Sequence, residues 1–295
     1  MGDKTGIQWT DATWNPIRGC SRVSEGCRNC YAEKVASRFC GPGEAYEGLA
    51  KDGRWTGKVQ LIEEHLDDPI RWKKPRRVFV NSMSDLFHDS FFEGLLRKDE
   101  PVRQIFKVMA AAKQHTFQVL TKRPDNMRRF MGWWMDQYGD VPPNVWLGVS
   151  VEDQKTADER IQLLMRTHAA VRFISAEPLL GPLNITPFLT SGGIRFGMGC
   201  KYGEGGLDKK LDWVIVGGES GPRARPFQLD WCESIVEQAK AAAVPVFVKQ
   251  MGENAIWNAG SADWRIPFTD RKGADPAEWP RALRVRQFPG EGTPA

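Results

Sequence analysis

The sequence predicts an α/β fold, a partial (β/α) TIM-like barrel of about six or seven parallel strands. Three observations predict it. Short apolar runs alternate with segments whose apolar residues recur at helical spacing, which implies parallel strands joined by right-handed crossovers. Nearly every run finishes in ionisable or hydroxyl side chains; a barrel gathers such strand ends at one mouth, whereas an open sheet gathers only those near its switch point. The 295 residues, 41% of them apolar, are enough for a substantial core.

In chain order, Ile7-Gln8-Trp9-Thr10 alternates apolar and polar residues and reads as a first strand. The turn-rich Trp14-Asn15-Pro16 follows, then a cysteine loop, then a helix marked by Tyr31, Val35, Ala36 and Phe39 and stopped by Gly41-Pro42-Gly43. Residues 52–58 read as loop. From Arg77 the pattern repeats. Val78-Phe79-Val80 ends in Asn81-Ser82-Met83-Ser84-Asp85, and Val102, Ile105, Phe106 and Met109 mark the next helix face. Residues 117–120 end in Thr121-Lys122-Arg123-Pro124, with Met127, Phe130, Met131 and Trp134 behind them. Residues 145–149 lead into Ser150-Val151-Glu152-Asp153 and a helix carrying Ala157, Ile161, Leu164 and Met165. Residues 171–174 end in Ser175-Ala176-Glu177-Pro178. A glycine-rich insertion at 191–206 interrupts the series and reads as a loop or partner-facing flap. Residues 213–216 lead into Gly217-Gly218-Glu219-Ser220-Gly221 and a helix with Cys232, Ile235, Val236 and Ala239, and Val246-Phe247-Val248 ends in Lys249-Gln250. The chain thus divides into a barrel over 1–251, with a cluster loop at 18–40, and a C-terminal extension over 252–295 packed on it, in which no period is strong.

The cysteine loop is the chemical centre of this reading. Cys20, Cys27 and Cys30 lie within eleven residues, with no histidine nearby to complete a set. Three thiolates leave one position of a four-iron cluster open for a ligand. The competing reading is a structural zinc site, its fourth ligand drawn from Cys40, Cys200, Cys232 or one of the four histidines. A reduced thiol group without metal, or a disulfide with a spare cysteine, is the third. Cys232, on an apolar helix face, reads as a small hydrophobe. His65 and His88 are candidate proton-transfer groups, although lone histidines are more often structural.

No uninterrupted apolar run is long enough to cross a membrane and the N-terminus has no signal-peptide core, so a cytoplasmic protein is expected. A net charge of +4 does not announce a nucleic-acid binder. However, Arg71, Lys73, Lys74, Arg76 and Arg77 crowd around Trp72, which would suit phosphate contacts as well as a solvated face.

Several of these stretches carry a family resemblance. Asn15-Pro16 before Gly19-Cys20, Cys27-Arg28-Asn29-Cys30-Tyr31-Ala32, the segment from Asn81 to His88, Thr121-Lys122-Arg123-Pro124, Gly148-Val149-Ser150-Val151-Glu152, Glu177-Pro178-Leu179-Leu180-Gly181-Pro182, Gly217-Gly218-Glu219-Ser220-Gly221 and Val248-Lys249-Gln250 closely resemble the phage Gp37/Gp68 family, of DUF5131 type, over residues 5–252. That family in turn resembles radical S-adenosylmethionine (SAM) enzymes, some phage members being associated with thymine hypermodification in DNA, including isomerisation of a base-linked amino acid. The cysteine spacing departs from the usual radical SAM loop: six residues separate Cys20 from Cys27, and Asn29 stands where an aromatic is usual.

The resemblance implies that Cys20, Cys27 and Cys30 hold a [4Fe-4S] cluster to which SAM binds, and that a 5′-deoxyadenosyl radical then abstracts hydrogen from substrate. It implies Ser82, Ser84 and Asp85 near the methionine ammonium, Lys122 or Arg123 near its carboxylate, and Ser150 and Glu152 near the ribose. Glu177, Glu219 and Lys249 remain for substrate, and helix capping or ion pairing is the plain alternative for Asp85 and Glu177. DNA or a nucleotide-linked substrate, and a reductant such as flavodoxin or ferredoxin, are the implied partners, in the cytoplasm of an infected host. A DNA-repair enzyme resembling spore photoproduct lyase and a non-catalytic, zinc-stabilised nucleic-acid-binding protein are the alternatives.

Overall fold

The computed structural model describes residues 5–92, 99–191, 209–258 and 263–291. It is an α/β fold whose main sheet is a curled half-barrel of seven parallel strands. In spatial and chain order these are β1 (Ala12–Trp14), β2 (Arg77–Val80), β3 (Thr116–Thr121), β4 (Val145–Ser150), β5 (Val171–Ala176), β6 (Trp213–Gly217) and β7 (Val246–Gln250). Sequential neighbours with helical crossovers are what alternating apolar runs and amphipathic segments dictate. The chain divides into two compact units inside β4, one comprising Met1–Gly148 with Thr167–Ala170, the other Val149–Arg166 with Val171–Ala295.

In the first unit, Ala12 pairs with Val78 and Trp14 with Val80, and Val78 pairs in turn with Phe117. Trp14, Val78, Phe117 and Val119 are fully buried. Against them pack α2 (Glu100–Ala111) and α3 (Pro124–Tyr138), through the Val102, Ile105, Phe106, Met109 stripe and the Met127, Phe130, Met131, Trp134 stripe expected from the helical period. Phe106 and Phe130 meet with ring centroids 4.6 Å apart.

The first strand lies later than Ile7–Thr10. Thr10 closes a turn onto the Ile7 carbonyl (3.3 Å), and its hydroxyl donates to the carbonyls of Arg77 (2.8 Å) and Ala12 (3.1 Å), so pairing begins beyond it. The first helix, α1 (Tyr31–Ala36), is also shorter than its apolar marks suggest. The Ser37 hydroxyl donates to the Glu33 carbonyl, the next two turns tighten, and Phe39 ends half exposed. Within 52–58, Arg54–Trp55 pairs with Ala50–Lys51 as a small hairpin where a loop was expected.

In the second unit, Trp213 pairs with Phe173 and Val214 with Val246, and every residue of β6 is buried, as a parallel strand covered on both faces requires. The helix α4 (Gln154–Met165) opens on a capping box in which Asp153 accepts from the Thr156 amide and the Thr156 hydroxyl accepts from the Asp153 amide. The helix α5 (Leu229–Ala241) buries Cys232, Ile235, Val236 and Ala239. Burial raises the Cys232 thiol's pKa well above its ordinary value, consistent with an inert apolar residue. Beyond Gly252 the tail contains real pairing: Ala255–Asn258 lies between Phe227–Gln228 and Asp263–Arg265, and Val285 and Gln287 bond to the outer edge of β7. No helix among the described residues is long and apolar enough to cross a membrane. The glycine-rich insertion beyond Ser191, with Cys200, lies outside the described residues.

Candidate functional site

The cysteine loop leaves the C-terminal end of β1 and is tied to the loop that leaves β2. Asn15 Oδ1 accepts from the Ser82 hydroxyl (3.1 Å) and the Met83 amide (3.2 Å), the Ser84 hydroxyl donates to the Ile17 carbonyl (2.9 Å), and Gly19 bridges to Ser84. Gly19 has φ +91°, and a Cβ there would sit 2.1 Å from the Lys58 carbonyl oxygen, so only glycine lets the chain enter Cys20 along this path.

Cys20, Cys27 and Cys30 are half-buried and unoxidised. Desolvation, then Asp85, pushes Cys20 up to about 12, with Cys30 and Cys27 adding to the rise and Arg123 opposing it. Cys30 is raised by burial too, against the amides of Glu33 and Ala32 at the start of α1 and the positive charge of Lys122. The thiols therefore stand within electrostatic reach of one another. Among the described residues no three Cys, His, Asp or Glu side chains converge closely enough to hold one metal ion. A single zinc draws its sulfurs in to about 2.3 Å, whereas a four-iron cluster binds each thiolate on a separate iron. Three reduced thiols in mutual reach fit that donor set. Cys40 lies apart in its bonding, its thiol donating to the Ser37 carbonyl (3.4 Å).

Two charged clamps hold the loop. Arg22, in the long stretch between Cys20 and Cys27, grips Glu33 of α1 through Nε (3.1 Å to each oxygen) and Nη2. The Glu33 side chain is 3% exposed and also accepts from the Trp55 amide (2.9 Å). Arg123, just after β3, donates from Nε to Asp89 (2.8 Å), from Nη1 to Asp85 (3.1 Å), and from Nη2 to the Ser21 carbonyl (3.2 Å) and hydroxyl (2.7 Å). Burial opposes the Arg123 charge, but Asp85 and Asp89 more than offset it and raise its pKa. Asp85 accepts in addition from the Thr121 hydroxyl (2.7 Å) and the amides of Phe87 (3.0 Å) and Lys122 (3.1 Å).

The other residues singled out in sequence fall in the second unit. Ser150 donates to the Glu177 carbonyl (3.2 Å). Glu152, 1% exposed, is closed by Arg160 at 3.0 Å, and Glu219 by Arg225 at 2.5 Å. Glu177 meets Lys249 at 2.5 Å, and this pair is the more accessible, at 19% and 17%. Sequence reasoning missed Ser21, Arg22, Glu33 and Asp89. None lies in a periodic pattern, and their partners are up to 102 residues away.

A family model described as "Protein of unknown function (DUF5131)" matches residues 4–276. No curated protein and no solved structure matches the chain.

Proposed function

We propose that this protein, which belongs to the DUF5131 family of proteins of unknown function, is a radical SAM enzyme whose Cys20, Cys27 and Cys30 hold a [4Fe-4S] cluster. The observation that supports this reading most is the grouping of those three thiols, within electrostatic reach of one another, on a clamped loop at strand C-terminal ends. The bound cofactors would supply a 5′-deoxyadenosyl radical. The chain's own task is then to hold, orient and exclude water.

Near the cysteines, Ser82 and Ser84 use their hydroxyl hydrogens on Asn15 and Ile17, which leaves lone pairs for an ammonium donor. Lys122, whose charge is felt at Cys30, is the better candidate for the methionine carboxylate, because Arg123 already serves Asp85, Asp89 and Ser21. In the second unit the accessible Glu177–Lys249 pair suits a zwitterionic amino-acid group, while Glu152 and Glu219 are closed by arginines and are assigned no ligand. The substrate we propose is a nucleic-acid base or base-linked amino acid in a phage DNA-modification pathway, and the electron source a flavodoxin or ferredoxin.

The test is iron, sulfide and zinc content of anaerobically purified protein and of Cys27→Ala, followed by reduction with SAM present. The expected result is about four irons and four sulfides per chain, lost in the variant, with 5′-deoxyadenosine released on reduction. Recovery of intact SAM after each turnover of damaged DNA would favour the repair reading. One zinc with no sulfide would replace both with a zinc-stabilised binding protein.

A further inference from the structure

The hydrogen bonds of Ser21 leave one hydrogen unassigned beside Cys20. His88 Nδ1 accepts from the Ser90 amide (3.3 Å), so the proton of the neutral ring, assigned from this bond, sits on Nε2, 2.8 Å from Ser21 Oγ. Burial, and after it the charge of Arg123, keep that ring neutral by lowering its pKa. Ser21 Oγ therefore accepts from His88, and it accepts again from Arg123 Nη2 at 2.7 Å. A hydroxyl has two lone pairs and one hydrogen. Both lone pairs are taken, and the hydrogen finds no acceptor among the described residues. The Cys20 sulfur lies 3.5 Å from the Ser21 carbonyl oxygen, which the same Arg123 nitrogen grips.

We infer that Ser21 is a positioning residue whose hydroxyl donates to the sulfur-bound group held by Cys20, Cys27 and Cys30, with Arg123 and His88 fixing the direction of that donor. The inference rests on the cluster reading above. Hydrogen bonds to cluster sulfurs favour the reduced state, so this hydroxyl raises the reduction potential.

Ser21→Ala and Ser21→Thr, purified without oxygen, test it by iron and sulfide content and by a redox titration followed by electron paramagnetic resonance. Ser21→Ala is expected to retain iron and to favour the oxidised form about tenfold more at a given potential, a negative shift of about 59 mV for one electron. Ser21→Thr stays near the wild type. Full iron in Ser21→Ala with an unchanged potential overturns the inference. Should Ser21→Ala load poorly, Ser21→Thr decides: wild-type iron and potential support the hydroxyl, and poor loading there too overturns it. Should the wild type itself hold no iron, the cluster reading has failed separately, and the cobalt(II)-substituted protein decides. A shift of its sulfur-to-cobalt absorption in Ser21→Ala supports the donor; an unmoved band, or no cobalt bound, overturns it.

Discussion

Arg123 stands at a strand end where a cation for a ligand's carboxylate is expected, yet each of its three nitrogens already has a partner on the chain. Sequence inspection marks the arginine and cannot see the partners, because Asp89 is 34 residues away and Ser21 is 102. The Arg123 and Asp85 side chains are 5% and 8% exposed, and removing one partner of a buried pair leaves an uncompensated charge. Arg123→Ala is expected to lower the unfolding free energy by about 3–5 kcal/mol, read from urea denaturation of the metal-free protein; a loss below about 1 kcal/mol would mean that water or relaxation rescues both aspartates. His115 gives a second prediction. It is buried, its Nε2 lies 3.0 Å from the Pro69 carbonyl, and its Nδ1 is buried with no hydrogen-bond partner among the described residues. Burial lowers its pKa, so below the ordinary value of about 6.5 the unfolded chain takes up a proton that the native ring refuses. Stability from this group is therefore present above that pH and is lost as pH falls through it. His115→Gln is expected to reduce the decline in urea midpoint between about pH 7 and pH 5, and an equal decline in both proteins would remove His115 as its source.

At the scale of elements, helices and buried strands were legible and short connections were not. The α2, α3, α4 and α5 stripes bury the very residues that recur at helical spacing, because one face of a helix must meet the sheet. The first strand was misplaced because alternation in Ile7–Thr10 is also compatible with a turn, and the Thr10 hydroxyl takes up the carbonyls that a longer strand would use. The unusual stretch between Cys20 and Cys27 has a local reason in Arg22, which reaches α1 and fixes the loop on buried Glu33. Arg22→Ala should therefore raise the alkylation rate of Cys27 and Cys30 in native, metal-free protein several-fold and, because it leaves the buried Glu33 carboxylate without its cation, lower the melting temperature as well. Equal rates would show that the clamp does not hold the loop. Gly19→Ala acts on the same element from the other side. Its φ of +91° and the Lys58 carbonyl leave no room for a Cβ, so a loss of more than about 1 kcal/mol is expected by urea denaturation.

For the whole molecule, the repeating order of apolar run and amphipathic helix was enough to give parallel strands in sequence order, since crossover connections restrict the topology so strongly. The tail was not legible, because its pairing is non-local: Gln287 bonds to the Val246 carbonyl on β7, and its short strands have too few residues to show a period. The basic run from Arg71 to Arg77 changes meaning once its place is known. Arg71 pairs with Asp68 at 2.6 Å, Arg76 lies over the Trp72 ring, and Arg77 bonds to Asp11, which leaves Lys73 and Lys74 as the exposed lysines of the run. They precede β2, whereas Ser82 and the cysteine loop follow the C-terminal ends of β1 and β2, and a four-residue strand at about 3.3 Å per residue separates the two ends by roughly 13 Å. We therefore expect nucleic acid engaged at the cysteine end to make most of its phosphate contacts away from these lysines. Each phosphate contact contributes about −0.9 to the slope of log affinity against log salt on duplex DNA. The double substitution Lys73→Ala with Lys74→Ala is expected to leave that slope within about 0.5 of the wild type, measured by fluorescence anisotropy across a salt series. A slope flatter by about 1.8 would place the DNA backbone along the opposite end of β2 and return the basic run to the binding surface.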